Sequence, residues 1–229
     1  MSDLTKTLAY VCLSGGADSA TCLAIAVNAW GSENVRAVSF DYGQRHIKEA
    51  EAAEALCAHY QVAHQVHKIN GMKKTMLTDV GAEVPNISYS DIVGVSPTYV
   101  PFRNGLMLST LAMLASPQPN SDNEAVIFFG AHAEDAANDA YPDCRLDFVG
   151  AIGAAIYIGS YHRVRVRAPL IELTKAQVIG LGHQIDVPYE LTWSCYKGEE
   201  LHCGTCPTCR ARKQAFEDAG VPDPTQYAA

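Results

Sequence analysis

The chain has 229 residues, 48% hydrophobic and 18% charged, with a formal net charge of −8 from 17 basic and 25 acidic side chains. This composition is that of a globular protein with one large domain, or one domain and a small appendage. The acidic balance argues against a duplex-binding protein, and the longest apolar run, Val149 to Gly159, is too short to span a membrane.

An apolar run from Leu8 to Leu13 ends abruptly in Ser-Gly-Gly-Ala-Asp-Ser at 14–19, before an alanine-rich run to Trp30. The pattern predicts strand, phosphate loop and helix, with the helix starting near Ser19. Glycines let backbone N–H groups approach an anion closely. Ser14 and Ser19 add hydroxyls, and the helix start aims its positive end at the same place. Asp18 implies a divalent cation, because Mg²⁺ bridges carboxylates to phosphate oxygens. A Walker loop is excluded, since no Gly is followed by Lys. Lys6 precedes the apolar run, but that run flows straight into the loop, so a signal peptide is not expected and the protein is read as cytoplasmic.

Val35 to Phe40 reads as a second strand, and Asp41-Tyr42-Gly43-Gln44-Arg45-His46 follows it. Ligands in parallel α/β sheets gather at the carboxyl ends of strands, which puts this cluster beside the phosphate loop. Tyr42 could stack on a base and Gln44 could read its edge; a polar loop with a Gly turn is the plain alternative. Ile47 to Tyr60 is a predicted helix. Gln61 to Ile69 is a predicted strand whose His64 and His67 read as surface or satisfied residues. Residues 71–100 are irregular and are read as a lid near the ligand. Arg103 and Asn104 should open a helix over Gly105 to Ala115, with Arg103 offering two parallel donors to a carboxylate or phosphate. A capping Asn beside a solvated Arg is the alternative.

Ala125 to Phe129 is a predicted strand ending in the polar stretch Gly130 to Asp135. The segment Asn138 to Arg145 packs acid, base, thiol and phenol together, and Asp143 and Arg145 are better ligand contacts than Cys144 is a nucleophile. A helix is expected over Leu146 to Gly159 and a strand over Val164 to Ala168, with Arg163, Arg165 and Arg167 on one face. Thr174 reads as the N-cap of a helix to about Ile185. Lys175 then opposes the helix dipole in the first turn, which an anion such as an ATP phosphate would offset; a solvated lysine is the alternative. Cys195, Cys203, Cys206 and Cys209 form C-x7-C-x2-C-x2-C, with Gly204 and Pro207 read as supporting tight turns. Four thiolates fill a tetrahedral sphere, so the site reads as structural zinc, with an iron–sulfur cluster the competitor. A terminal helix is expected over Arg210 to Ala219. Five strands alternate with helices, so the fold class is α/β with a mainly parallel sheet. Residues 1–190 read as an ATP-binding α/β domain, and 191–229 as a zinc-binding module and tail. No general base stands out.

Together, Leu-Ser-Gly-Gly-Ala-Asp-Ser at 13–19, Phe-Asp-Tyr-Gly-Gln-Arg-His at 40–46, Val-Pro-Phe-Arg-Asn at 100–104, Tyr-Pro-Asp-Cys-Arg at 141–145 and the 195–209 cysteines resemble the 7-cyano-7-deazaguanine synthase family of PP-loop ATP pyrophosphatases. The resemblance implies an adenine-nucleotide α-hydrolase-like fold. It implies 7-carboxy-7-deazaguanine, ammonia and ATP as substrates, with Mg²⁺, one structural Zn²⁺ per chain, a homodimer, and no membrane or nucleic-acid partner. ATP would bind across Leu13, Ser14, Gly15, Gly16, Ala17, Asp18, Ser19, Ala20, Thr21, Cys22 and Leu23. Asp18 would hold the cation and Lys175 would neutralise phosphate charge. The deazaguanine would meet Phe40, Tyr42, Gln44, Arg45, Arg103, Asn104, His132, Asp143 and Arg145. There are two departures: Phe102 stands where many members have Gly, and Gly130 to Asn138 differs from the form of some members. Two rival classes remain in view. One is a tRNA-thiolating or amide-forming ATP pyrophosphatase, which the acidic charge and metal-occupied cysteines disfavour. The other is a zinc-knuckle nucleic-acid module, which leaves the phosphate loop unexplained.

Overall fold

The computed structural model describes residues 6–43, 47–71, 75, 94–118, 120–137, 140–197 and 200–228. Five strands, β1 (Thr7–Cys12), β2 (Val35–Asp41), β3 (Ala63–Lys68), β4 (Glu124–Phe128) and β5 (Val164–Arg167), form one sheet in the order β3-β2-β1-β4-β5. Every neighbouring pair is parallel. Parallel neighbours need long crossovers. Helices supply them: α1 (Ala17–Trp30), α2 (Ile47–Tyr60), α3 (Arg103–Ala115) and α4 (Leu146–Gly159). Then α5 (Lys175–Gln184) and α6 (Pro207–Ala219) close the chain. The chain starts in the middle strand, walks out to β3, and returns to the other side of β1 through β4. The order reverses between β1 and β4, which is where doubly wound sheets open their ligand crevice.

Alternation along the strands makes two cores. Ala9 and Val11 of β1 face α1, α2 and α5, while Tyr10 and Cys12 face α3 and α4. The alanines of α1 let it sit against the sheet, and most of the span from Ala17 to Ala26 is buried, as expected from its all-round apolar sequence. Ala215 and Phe216 bring α6 onto the same face, with the Phe216 ring edge-on to Tyr189 at 5.3 Å. The four cysteines form a separate small cluster with Trp193, Tyr196 and Tyr227.

Some boundaries differ from the sequence reading. The first helix starts at Ala17, so Asp18 lies in its first turn. The last helix starts at Pro207, not Arg210, which places Cys209 inside it. Pro207 opens a helix instead of a turn because its fixed φ suits the first helical position and its missing N–H needs no partner there. His64 is satisfied by Ser39, 2.7 Å away. Phe102 caps α3 in the left-handed region at φ 56°, the conformation a glycine adopts at no steric cost. Its ring lies over Gly105, where an added Cβ would come within 2.5 Å of it, and meets Phe148 edge-on at 5.8 Å. Gln44, Arg45, His46, Asn138, Asp139 and most of the expected 71–100 lid lie outside the described residues.

Gly182 offers a test of the α1–α5 contact. A Cβ there would fall 1.9 Å from the Tyr189 hydroxyl, which sits 3.1 Å from Thr21 Oγ1 and donates to the Val178 carbonyl at 3.2 Å. Gly182→Ala is expected to cost about 1–3 kcal/mol by overpacking. Gly180→Ala, with nothing within 4 Å of its new methyl, should be neutral or stabilising. Thermal denaturation of the pair by circular dichroism checks the contrast.

Candidate active site

The loop after β1 is built by two serines and two glycines. Leu13 N–H donates to the Val38 carbonyl at 2.9 Å, continuing the β1–β2 pairing past the strand. Gly15 then turns the chain at φ +86°, and a Cβ on it would fall 2.4 Å from the Glu49 carbonyl oxygen. Only glycine meets both demands. Ser19 Oγ donates to the Gly16 carbonyl at 3.0 Å and accepts the Ser14 N–H at 3.2 Å. Ser14 Oγ lies 3.1 Å from Ser19 Oγ and accepts the Gly16 N–H at 3.3 Å. Gly16 caps α1 with no side-chain bond, so the N-terminal amides of α1 lack the usual cap and their positive end meets the crevice.

Across the crevice, the loop after β4 approaches α1 closely; a Cβ on Gly130 would lie 3.2 Å from the Asp18 carbonyl carbon. Lys175 Nζ makes an ion pair with Asp18 Oδ2. Its backbone N–H donates to Glu134 Oε1 at 2.9 Å. These two carboxylates are the anions that the first-turn lysine calls for. His132 Nε2 lies 3.3 Å from Asp135 Oδ1 and 3.9 Å from Asp18 Oδ2. Burial alone would raise the Asp18 pKa, but the Lys175 charge, with His132 adding to it, holds the carboxyl below the usual aspartate range. Asp135 goes the other way: burial raises it, against the opposing pull of His132. Asp18 Oδ1 is buried and accepts no hydrogen bond among the described residues.

Two adjoining clefts of about 280 and 200 Å³ share walls at Ser14, Asp18, Glu49, Asp135, Tyr141 and Tyr196. The larger also takes in Phe40, Tyr42, Arg103 and Asn104, and the smaller takes in His132, Lys175 and Arg212. Arg103 Nη1 donates to the Tyr42 hydroxyl at 3.1 Å and has no carboxylate partner among the described residues. Tyr141 reaches back to Ser96 and Thr98. Asn104 donates its backbone N–H to Asp143 Oδ2 at 3.0 Å and its amide to Cys144 Sγ at 3.2 Å. Burial pushes the Cys144 thiol well up, so it is poorly suited to act as a thiolate.

The cysteine cluster abuts the smaller cleft. The sulfurs of Cys195, Cys203, Cys206 and Cys209 all lie within 4.8 Å of one another, and all four residues are buried. Cys203 Sγ and Cys209 Sγ are 3.9 Å apart. Metal–sulfur bonds of about 2.3 Å in a tetrahedron put sulfurs about 3.8 Å apart. Backbone N–H groups of Lys197, Cys203, Thr205 and Cys206 point at the Cys195 and Cys203 sulfurs, as thiolates require. The residues fit a metal. The segment entering the cluster touches the phosphate loop directly, because Trp193 N–H donates to the Gly15 carbonyl at 2.9 Å. Arg212 of α6 is 1% exposed and ties the same segment down through Thr192 Oγ1 at 2.8 Å and the Tyr189 carbonyl at 3.0 Å.

The family model for "Queuosine biosynthesis protein QueC" matches residues 8–220. The chain belongs to the QueC family. A 7-cyano-7-deazaguanine synthase of Thermoplasma volcanium is 43% identical over 226 residues, covering 96% of this chain and 90% of that protein. The Ralstonia pickettii protein of that name is 43% identical over 232 residues, covering 97% of this chain and 99% of its own.

In this QueC-family chain the residues read from the sequence fall into three groups. Leu13, Ser14, Asp18, Ser19, Phe40, Tyr42, Arg103 and Asn104 line the larger cleft, and Gly16, Ala17, His132 and Lys175 line the smaller. Gly15 lies between them in the loop. Ala20, Thr21, Cys22 and Leu23 have 0% exposure, because one helical turn past the loop carries the chain into the core; they support the loop and leave a ligand no surface. Asp143 and Arg145 lie off the cleft walls. Asp143 is beneath the start of α3, and Arg145 grips Asp147 with two bonds near 3 Å on the exposed side of α4. The sequence reading assigns Glu49, Tyr141, Tyr196 and Arg212 no contact in the nucleotide or deazaguanine site, although all four line the clefts. Tyr141 falls within the 141–145 motif, and Glu49 lies close to the 40–46 motif; Tyr196 and Arg212 carry no such signal.

Elemental analysis of the QueC-family protein should find one metal ion per chain in the cysteine site. Cys206→Ser should remove most of it and lower the melting midpoint. Unchanged metal content in that variant would show that the cysteines do not hold it.

Proposed function

We propose that this chain makes 7-cyano-7-deazaguanine, the product that its relatives' names state for them, from 7-carboxy-7-deazaguanine and ammonia with ATP. A carboxylate has no leaving group, and adenylation supplies one. The carboxylate oxygen attacks the α-phosphorus and pyrophosphate leaves; ammonia then displaces AMP to give an amide. A second adenylation, on the amide oxygen, allows dehydration to the nitrile. The observation that carries this reading is the pairing of an uncapped helix start with the half-buried Arg103 guanidinium in one crevice. The α1 amides suit the pyrophosphate, and Arg103, without a carboxylate partner among the described residues, suits the substrate carboxylate.

Asp18 Oδ1, buried and without a hydrogen bond among the described residues, fits a cation ligand; Mg²⁺ bound there would neutralise phosphate charge. Lys175 is held beside Asp18 to serve phosphate oxygens once ATP enters. Tyr42 and Phe40 suit the flat face of the deazaguanine. The cysteine site is read as zinc, because four thiolates leave no open position for chemistry. Residues 1–190 are read as the ATP-binding unit and 191–229 as the metal module. The protein is read as cytoplasmic, and among its described residues no helix is long and apolar enough to cross a membrane.

Asp18→Ala should lower ATP-dependent turnover by about 10²-fold or more, as expected when charge stabilisation at a phosphoryl centre is lost. Mass spectrometry of the product from ATP, ammonia and the deazaguanine acid tests the whole reading. The nitrile is expected; amide alone, or turnover unchanged in Asp18→Ala, would overturn it.

The protein is also read as a homodimer through α4. Of its 14 residues only Val149 and Ile156 are buried, while Leu146 and Ile158 are 60% and 68% exposed. Gly150, Ala151, Ala154 and Ala155 share that exposed stripe and let a second copy approach closely. Light scattering should give a dimer that Ala154→Glu converts to a monomer. A monomeric native protein would sink this assignment.

A further inference from the structure

The clefts share three carboxylates, and two of them are already engaged. Asp18 is paired with Lys175, and Asp135 faces His132 at 3.3 Å. The third is Glu49, in the first turn of α2. Its side chain accepts no hydrogen bond and makes no ion pair among the described residues. Its position is nevertheless fixed, because its carbonyl oxygen packs against Gly15 of the phosphate loop. The ionisable groups around it are Asp18, Asp135, Tyr141 and Tyr196 on the shared wall, with Arg103 and Tyr42 in the larger cleft.

The chemistry read from this site needs a proton acceptor at that wall. When ammonia adds to an acyl-adenylate, its nitrogen becomes positively charged, and the neutral amide forms only once that nitrogen has given up a proton. We propose that Glu49 is the general base that takes this proton. The nitrogen lone pair forms the C–N bond, the C–O bond to the adenylate breaks, and AMP leaves with that electron pair. One N–H proton passes to the Glu49 carboxylate, so amide, AMP and a neutral glutamic acid result. This assignment rests on the adenylation reading above.

Burial pushes the Glu49 carboxyl up to about 7, with the Arg103 charge opposing. A group of that strength is about half ionised near neutral pH, so it both accepts a proton there and holds it. A carboxylate with an ordinary pKa would be the weaker base.

Glu49→Gln keeps the shape and removes the proton acceptor. Acid-dependent ATP–pyrophosphate exchange, which reads adenylation alone, should stay near the wild-type rate. Ammonia-dependent amide formation should fall by about 10²–10⁴-fold, and the limb of the pH–rate profile near neutrality should vanish. Hydroxylamine, a less basic nucleophile that sheds its proton to water readily, should restore product as the hydroxamate. Glu49→Asp, which retains a carboxylate, should recover part of the ammonia rate, and it serves as the second variant if Glu49→Gln does not fold. Amide formation unchanged in Glu49→Gln, or exchange and amide formation falling together, would overturn the proposal. A wild-type protein with no acid-dependent exchange would remove the adenylation reading itself, and Glu49's role with it.

Discussion

Gly15 has no room for a side chain, and much of the site follows from that one close approach. Its φ of +86° turns the chain out of β1, and the Glu49 carbonyl occupies the space where a Cβ would stand. The turn starts α1 two residues later, with its amides aimed into the crevice. The same contact fixes the first turn of α2 against the loop, and so fixes where Glu49 stands. The Gly15 carbonyl, on its other side, accepts the Trp193 N–H from the segment that leads to the cysteines. An alanine here would face both a disfavoured backbone conformation and a backbone clash, and neither can be relieved by a side-chain rotamer.

Around this loop the charges are arranged in opposed pairs. Lys175 sits where a helix dipole disfavours it, and Asp18 and Glu134 offset that cost. The depressed pKa of Asp18 means that its ion pair contributes stability above the ordinary aspartate range and loses it as pH falls through the folded-state value. Glu49 has the opposite sign. Its raised pKa leaves the folded state holding a proton that the unfolded chain has released, so its cost to stability grows as pH rises toward about 7. A site that keeps one carboxylate cheap and another costly holds groups of the same chemical type in different protonation states at one pH.

The sequence reading reached the sheet, its parallel sense, the loop and the cysteine cluster, because each carries a local signal. Continuous apolar runs mark β1 and β4, and C-x2-C spacing marks the metal site. The need of Lys175 for an anion was also legible, although its partner is Asp18 from 157 residues earlier in the chain. What escaped has no local signal. Thr21, Cys22 and Leu23 follow the motif in sequence, but the helix turns them into the core. Arg145 resembles a ligand contact in sequence, yet it is taken up by Asp147 two residues later. Arg212 reads as one more charge on a polar helix; it is 1% exposed, and the groups that satisfy it are Tyr189, Thr192, Ser194 and the Asp223 carboxylate.

The cysteine cluster bears on the crevice through geometry, because the segment entering it is bonded to the Gly15 carbonyl. Closing a metal site over Cys195 to Cys209 fixes both ends of that segment, and the residues just before it are bound to the loop and to Arg212. Ordering Trp193 by itself would cost conformational entropy each time a ligand entered. A metal held by the four cysteines would meet that cost during folding, before any ligand arrives. The loop then holds its amides in place, and ligand-binding energy can go into alignment instead of ordering the chain around the site.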